Sequence, residues 1–146
     1  MSTPFLIPLR FFRDWRLCWR LANDPTERAM ARDLRRPTVW RHTRWMFTQR
    51  FSPRRFAWTV NGGAGIVRVE RFGECETEVH ISLLPEYRGV GIGTAALRAV
   101  VGFGRPPVVA YVKPTNTASL RAFQKAGFVV TGETPSLVRL RYEARK

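Results

Sequence analysis

Residues 78–94 run Glu-Val-His-Ile-Ser-Leu-Leu-Pro-Glu-Tyr-Arg-Gly-Val-Gly-Ile-Gly-Thr, and no other stretch constrains the chain as strongly. An apolar strand enters a turn with glycine at every second position, and the turn enters a helix. Gly89, Gly91 and Gly93 remove side chains where a ligand must approach the backbone. The amides of Arg88, Gly89, Val90, Gly91, Ile92, Gly93 and Thr94 are left at a helix start. There the first N–H groups lack intrahelical partners and the dipole adds about half a positive charge. Such a junction suits a diphosphate, with Arg88 adding a full charge at its rim. The competing reading is a tight strand-to-helix turn that needs glycine for steric reasons alone.

Two other glycine-rich readings fail. A P-loop requires Gly-Lys followed by Ser or Thr, and the sequence contains no Gly-Lys. A dinucleotide fingerprint requires an early βαβ unit and an acidic residue about 20 positions on. Here the turn follows a meander and no acid lies in 106–113.

The remaining pattern is mixed. Residues 4–10 read as a strand and 12–23 as an amphipathic helix broken at Asn23-Asp24-Pro25-Thr26. Residues 26–34 restart a helix, and Pro37-Thr38 caps a third at 39–50. Strands follow at 55–60, 65–71 and 75–84, joined by Asn61-Gly62-Gly63 and Phe72-Gly73-Glu74. The helix at 91–102 presents Ile92, Ala95, Ala96, Ala99, Val100 and Phe103. A strand at 108–112, a helix at 116–126 with Gly127 after it, and strands at 128–131 and 136–142 complete the order. That order is α+β, with a meander rather than a repeated βα unit.

A chain of 146 residues suits one domain, 1–146. The net charge of +14 comes almost wholly from arginine, which grips phosphate bidentately, and it favours anionic partners. The alternative is arginine spread over a solvated face. No run of five or six basic residues marks a nucleic-acid tail, so nucleic acid is not an expected partner. Two cysteines without a CxxC pair fit a reducing, cytoplasmic setting. The N-terminal stretch reads as lacking a signal-peptide core, and no apolar run approaches a membrane span.

Arg88-Gly89-Val90-Gly91-Ile92-Gly93, with its lead-in Leu84-Pro85-Glu86-Tyr87, resembles the acetyl-CoA signature of the GCN5-related N-acetyltransferase (GNAT) superfamily. Asn116-x-x-Ser119-x-x-x-Phe123-x-x-x-Gly127-Phe128 resembles that family's second cofactor motif. The resemblance implies a mixed, mostly antiparallel twisted sheet of about seven strands. A splayed strand pair (75–84 and 108–112) would form the acetyl-CoA cleft. Amides 88–94 would hold the pyrophosphate, and backbone near Ile81, Leu83 and Leu84 would run beside the pantetheine arm. Asn116, Ser119 and Phe123 would line the rest; for Asn116 and Ser119, plain helix capping is the alternative.

Acetyl transfer needs a neutral amine, a polarised thioester carbonyl and a thiolate that can leave. Glu78 is the leading candidate base, with His80 two residues on along the same strand face; an exposed Glu78 paired with an arginine is the alternative. Phe123 stands where many members carry a tyrosine that protonates the thiolate, so the general acid is unassigned, with Tyr111 and Tyr87 near it in sequence. The acceptor site should come from the N-terminal helices. There Trp19, Asn23-Asp24-Pro25, Arg28 and His42-x-x-Trp45 loosely resemble the branch acting on nucleotide-linked amino sugars and ribosomal proteins; an aromatic core is the alternative. The expected activity is acetyl-CoA-dependent N-acetylation of a small-molecule amine, an anionic acceptor and a homodimer being compatible with it. Acetylation of a protein N-terminus or lysine, or a non-catalytic module that binds CoA or nucleic acid, are the alternatives.

Overall fold

The computed structural model describes residues 4–31, 35–73 and 75–143. The last three residues of the expected 26–34 helix, and Glu74, lie outside them. Strands β1 (Leu6–Pro8), β2 (Arg55–Val60), β3 (Gly65–Phe72), β4 (Glu76–Leu83), β5 (Val108–Val112), β6 (Phe128–Glu133) and β7 (Val138–Tyr142) form one sheet in the order β1-β2-β3-β4-β5-β7-β6. Every pair is antiparallel except β4 with β5. The seven-stranded mixed sheet expected from the sequence is therefore present.

The helices are α1 (Phe11–Asn23), α2 (Pro25–Met30), α3 (Val39–Phe51), α4 (Ile92–Val100) and α5 (Thr117–Ala126). Local chemistry sets their ends. Asp24 and Thr38 accept N-cap hydrogen bonds from the amides of Glu27 and Arg41. Pro25 occupies the first turn of α2, where its missing N–H costs nothing. Asn116 caps α5 through the Ser119 amide, and Gly127 ends that helix at φ +106°.

Alternation along the strands gives the sheet two unlike faces. One is apolar: Val67, Val69, Val79, Val108, Ala110 and Leu140 are buried against Ala96, Leu97 and Val100 of α4 and Phe123 and Ala126 of α5. The buried line of α4 is not quite the expected one, because Leu97 is fully enclosed and Phe103 is 60% exposed, packing on Trp58. The other face meets the N-terminal helices through a smaller cluster of Cys18, Leu21, Met46, Ile66 and Leu84. Burial pushes the Cys18 thiol up to about 12, so it behaves as a small apolar side chain. Gly65 permits β3 to lie close to β4; a Cβ there would meet the Ser82 carbonyl oxygen at 2.2 Å.

Candidate active site

The site begins where β4 and β5 part. These parallel strands pair only at Thr77–Val108 and Glu78–Val109. Beyond that point they diverge around a cavity of about 410 Å³. Val79 to Ser82 line one wall, and Tyr111, Val112 and Lys113 line the other. The β4 main chain alongside has no strand partner on that side among the described residues, so its polar groups are available to an extended ligand.

The glycine turn closes one end. Gly89 and Gly91 adopt φ +76° and +86°, where a Cβ is strained. Among the described residues, no internal acceptor takes the amides of Gly89, Val90, Gly91, Ile92, Gly93 or Thr94. The Arg88 amide does not join them, because it donates to the Pro85 carbonyl at 3.2 Å. Gly89, Gly91, Gly93 and Thr94 line an adjoining cavity of about 350 Å³ that Arg121 and Lys125 also face. A turn with six amides that lack internal acceptors, four of them on residues lining the cavity beside two cations, fits a diphosphate.

The Arg88 guanidinium lines the cavity at the turn, as expected, but part of its charge is directed inward. It donates to the Leu83 carbonyl at 2.9 Å, lies 2.8 Å from Asp24 and 3.3 Å from Glu27, and so ties the turn to the start of α2. Burial raises the Asp24 carboxyl, but the Arg88 hydrogen bond, backbone amides and Arg88's charge outweigh it and hold the group below the ordinary range.

Other expected cofactor contacts divide. Ile81, Asn116 and Ser119 line both cavities, Leu83 the one at the turn and Phe123 the one between the strands. Asn116 and Ser119 are also joined as helix cap and capped amide, which is the capping alternative. Leu84 stands apart. It is 3% exposed in the small cluster under the N-terminal helices, its amide donates to Ala64 and its carbonyl accepts from Tyr87. Val90 is exposed and Ile92 packs against the large core, so each can contribute only its amide.

The two candidate bases come together in an order the spacing did not reveal. Glu78 is 2% exposed, which excludes the exposed-strand alternative, and it lies outside the lining of the cavities. His80 lines the cavity between the strands, with Nε2 at 3.3 Å from Glu78 Oε1. The arrangement is an imidazole at the surface of the cavity with a buried carboxylate behind it. Tyr111 also lines the cavity, but its hydroxyl donates to Glu76 at 2.8 Å and accepts from Arg139 at 3.2 Å. Tyr87 is 39% exposed and lines no part of these cavities.

A third cavity, about 560 Å³, lies under the N-terminal helices. Arg28, Arg35, Arg41, Arg44 and Arg68 line it, with Trp45 and His42. His42 is enclosed by Trp15, Trp19 and Trp45, and burial lowers its imidazole, favouring the neutral form. Arg68 lies over the Trp45 ring at 5.6 Å. Of the aromatic residues expected here, Trp45 and His42 reach this cavity and Trp19 does not, being stacked on Trp15; for the aromatic-core alternative, Trp15 packs on the apolar cluster while Trp40 is 75% exposed.

Glu27 is the residue sequence reasoning missed. It lines all three cavities and is their only acidic residue among those described. Burial raises its carboxyl above the ordinary range, against the opposing pull of a Ser82 hydrogen bond and Arg88. The signal available was Asp24-Pro25-Thr26-Glu27, a capping-box pattern that places Glu27 in the first helical turn.

The sequence model of the Acetyltransferase (GNAT) domain matches residues 6–129. N-alpha-acetyltransferase RimI of Mycobacterium tuberculosis is 41% identical over 76 residues, 51% of this chain and 48% of that protein. The match thus spans about half of the curated relative's length. AAC(6')-Ib, solved with paromomycin and acetyl-CoA, superposes with TM-score 0.78 at 16% identity, covering 98% of this chain and 94% of that one. Spermidine N-acetyltransferase from Vibrio cholerae, solved with CoA and spermine, gives TM-score 0.76 at 13% identity, covering 97% and 94%. An acetyltransferase from Thermus thermophilus gives 0.78 at 21%, covering 96% of each chain. At these identities the structural likeness speaks for the fold.

Proposed function

This chain belongs to the GNAT family of acetyl-CoA-dependent N-acetyltransferases, and we propose that it acetylates a primary amine on a small molecule that also carries negative charge, a nucleotide-linked amino sugar being the acceptor class that fits best. The observation that carries this reading is the arginine-lined cavity adjoining the gap between β4 and β5, with Arg68, Ser82 and Glu27 shared between them. Five guanidinium groups around one cavity suit phosphate, and the Trp45 face suits a ring.

The residues present fit the cofactor. Six amides without internal acceptors, with Arg121 and Lys125 beside them, would hold its diphosphate. The β4 edge from Val79 to Ser82, which has no strand partner on that side among the described residues, would run beside its pantetheine arm. Bound acetyl-CoA would supply the activated acetyl group, with the thiolate as its leaving group. The chain's own part is protonic and electrostatic. His80 takes the proton that the acceptor's amine must lose, and Glu78 behind it favours the imidazolium that results. A β4 amide facing the gap offers the donor that a developing oxyanion needs.

A second reading has its own support: the 76-residue likeness to RimI favours a protein N-terminus as acceptor. A thiol-release screen over amino sugars and their phosphates, polyamines, aminoglycosides and basic peptides separates the two. Sugar phosphates should be turned over at least about tenfold more efficiently than their uncharged parents, since a good charge-assisted contact contributes about 1.5–3 kcal/mol. Preference for a peptide N-terminus would establish the second reading, and preference for polyamines would defeat both.

A further inference from the structure

An ammonium entering a cavity lined by five arginines meets repulsion, so an amine acceptor needs one negative group to direct it toward the thioester. Among the described residues lining the three cavities, Glu27 is the single carboxylate, and it lines all of them. It sits at the third position of the short helix α2, its own amide held by the Asp24 cap at 3.0 Å. Arg88 at 3.3 Å and the Ser82 side chain hold the carboxylate from two sides. A carboxylate offers about four lone-pair sites, so these partners leave capacity for a third donor. Ser82 belongs to the β4 stretch lining the gap, and His80 lies two residues before it on the same face.

We propose that Glu27 receives the acceptor's ammonium at the meeting point of the cavities, while the arginine-lined cavity holds the acceptor's anionic end. The acceptor class is then dipolar: an amine and a phosphate or carboxylate on one small molecule, entering amine first. This rests on the acetyl-transfer reading for its purpose, but it is a statement about binding and can be tested without turnover. Glu27 reads the amine, and His80 remains the proton acceptor. Arg88 gains a second role, because it links the turn that would hold the diphosphate to the carboxylate that holds the amine.

The test uses three probes titrated calorimetrically into the full chain without acetyl-CoA: glucosamine 6-phosphate, glucose 6-phosphate and glucosamine. The wild type should bind glucosamine 6-phosphate about tenfold or more tighter than either probe that carries only one of the two charged groups. Glu27→Gln should reduce that affinity to the level of glucose 6-phosphate while leaving glucose 6-phosphate unchanged. Acetyl-CoA affinity, measured on the same variant, should remain at the wild-type value and reports that it is folded. Equal weakening of both phosphates, unchanged affinity for both, or no binding by any probe would overturn the proposal. A fall in acetyl-CoA affinity in step with probe affinity would overturn it too, by showing that Glu27 acts only through Arg88. Failure of the wild type to release CoA, with the probe pattern intact, would defeat the acetyl-transfer reading and leave this one standing.

Discussion

At the scale of single residues, burial reorders the chemistry that spacing suggested. Alternation put Glu78 and His80 on one strand face, but only depth distinguishes them: the carboxylate is enclosed and the imidazole lines the cavity. His80→Gln should lower kcat by about 10²–10³, within the range of a positioned general base. Glu78→Gln should lower it less and displace the pH profile, since it removes the charge that favours the imidazolium. Acetyl-CoA affinity should stay constant in both; a wild-type rate in His80→Gln at pH 7 would remove the pair from the mechanism. The neighbouring Glu76–Arg139–Tyr111 cluster serves stability. Hydrogen bonds from Arg139 and Tyr111 hold the Glu76 carboxyl below its ordinary value. The folded state therefore gains from ionised Glu76 above about pH 4.3 and loses that gain as pH falls through the lower folded value. In urea titrations, the difference in midpoint between wild type and Glu76→Gln should be full at pH 7 and shrink below pH 4. A constant difference would show that the charge is not what matters.

At the scale of elements, the proposed cofactor binding rests on the N-terminus of α4. Gly91 precedes it at φ +86°, and the amides around it lack internal acceptors. Gly91→Asp places a negative charge against the diphosphate and adds backbone strain of about 1–3 kcal/mol. Acetyl-CoA affinity should fall by about a hundredfold, equivalent to about 2.7 kcal/mol, while circular dichroism keeps the wild-type spectrum. Unchanged calorimetric affinity would defeat the assignment of this turn. The element boundaries were largely legible because local signals set them: Asn61 and Gly62 in the hairpin, Thr38 and Asn116 as caps, Gly127 after α5. The buried line of α4 was less legible. Leu97 and Phe103 are equally apolar in sequence, and only the position of Val100 and Ala96 over the sheet selects Leu97 for the core.

At the scale of the whole molecule, part of the positive charge acquires a location. Arg28, Arg41, Arg44 and Arg68 are scattered through the sequence on α2, α3 and β3, yet line one cavity. A concave surface on which one sign predominates raises the local concentration of oppositely charged ligands, and salt screens it over about 10 Å at 0.1 M. Raising the salt from about 50 to about 300 mM should therefore increase KM for a phosphorylated amine about tenfold with kcat nearly constant. A salt-independent KM would leave the arginines as a solvated surface.

The order of elements, the apolar face that α4 and α5 cover, and the amide-rich turn were written in the sequence, because each depends on neighbours within a few residues. The folded chain alone decided which of Glu78 and His80 meets the cavity, where Arg88 spends its charge, and that Glu27 stands at the junction of three cavities. Those facts depend on side chains such as Glu27 and Arg88, 61 positions apart in sequence, meeting across a sheet and a helix end. Periodicity and capping carry no record of such distances.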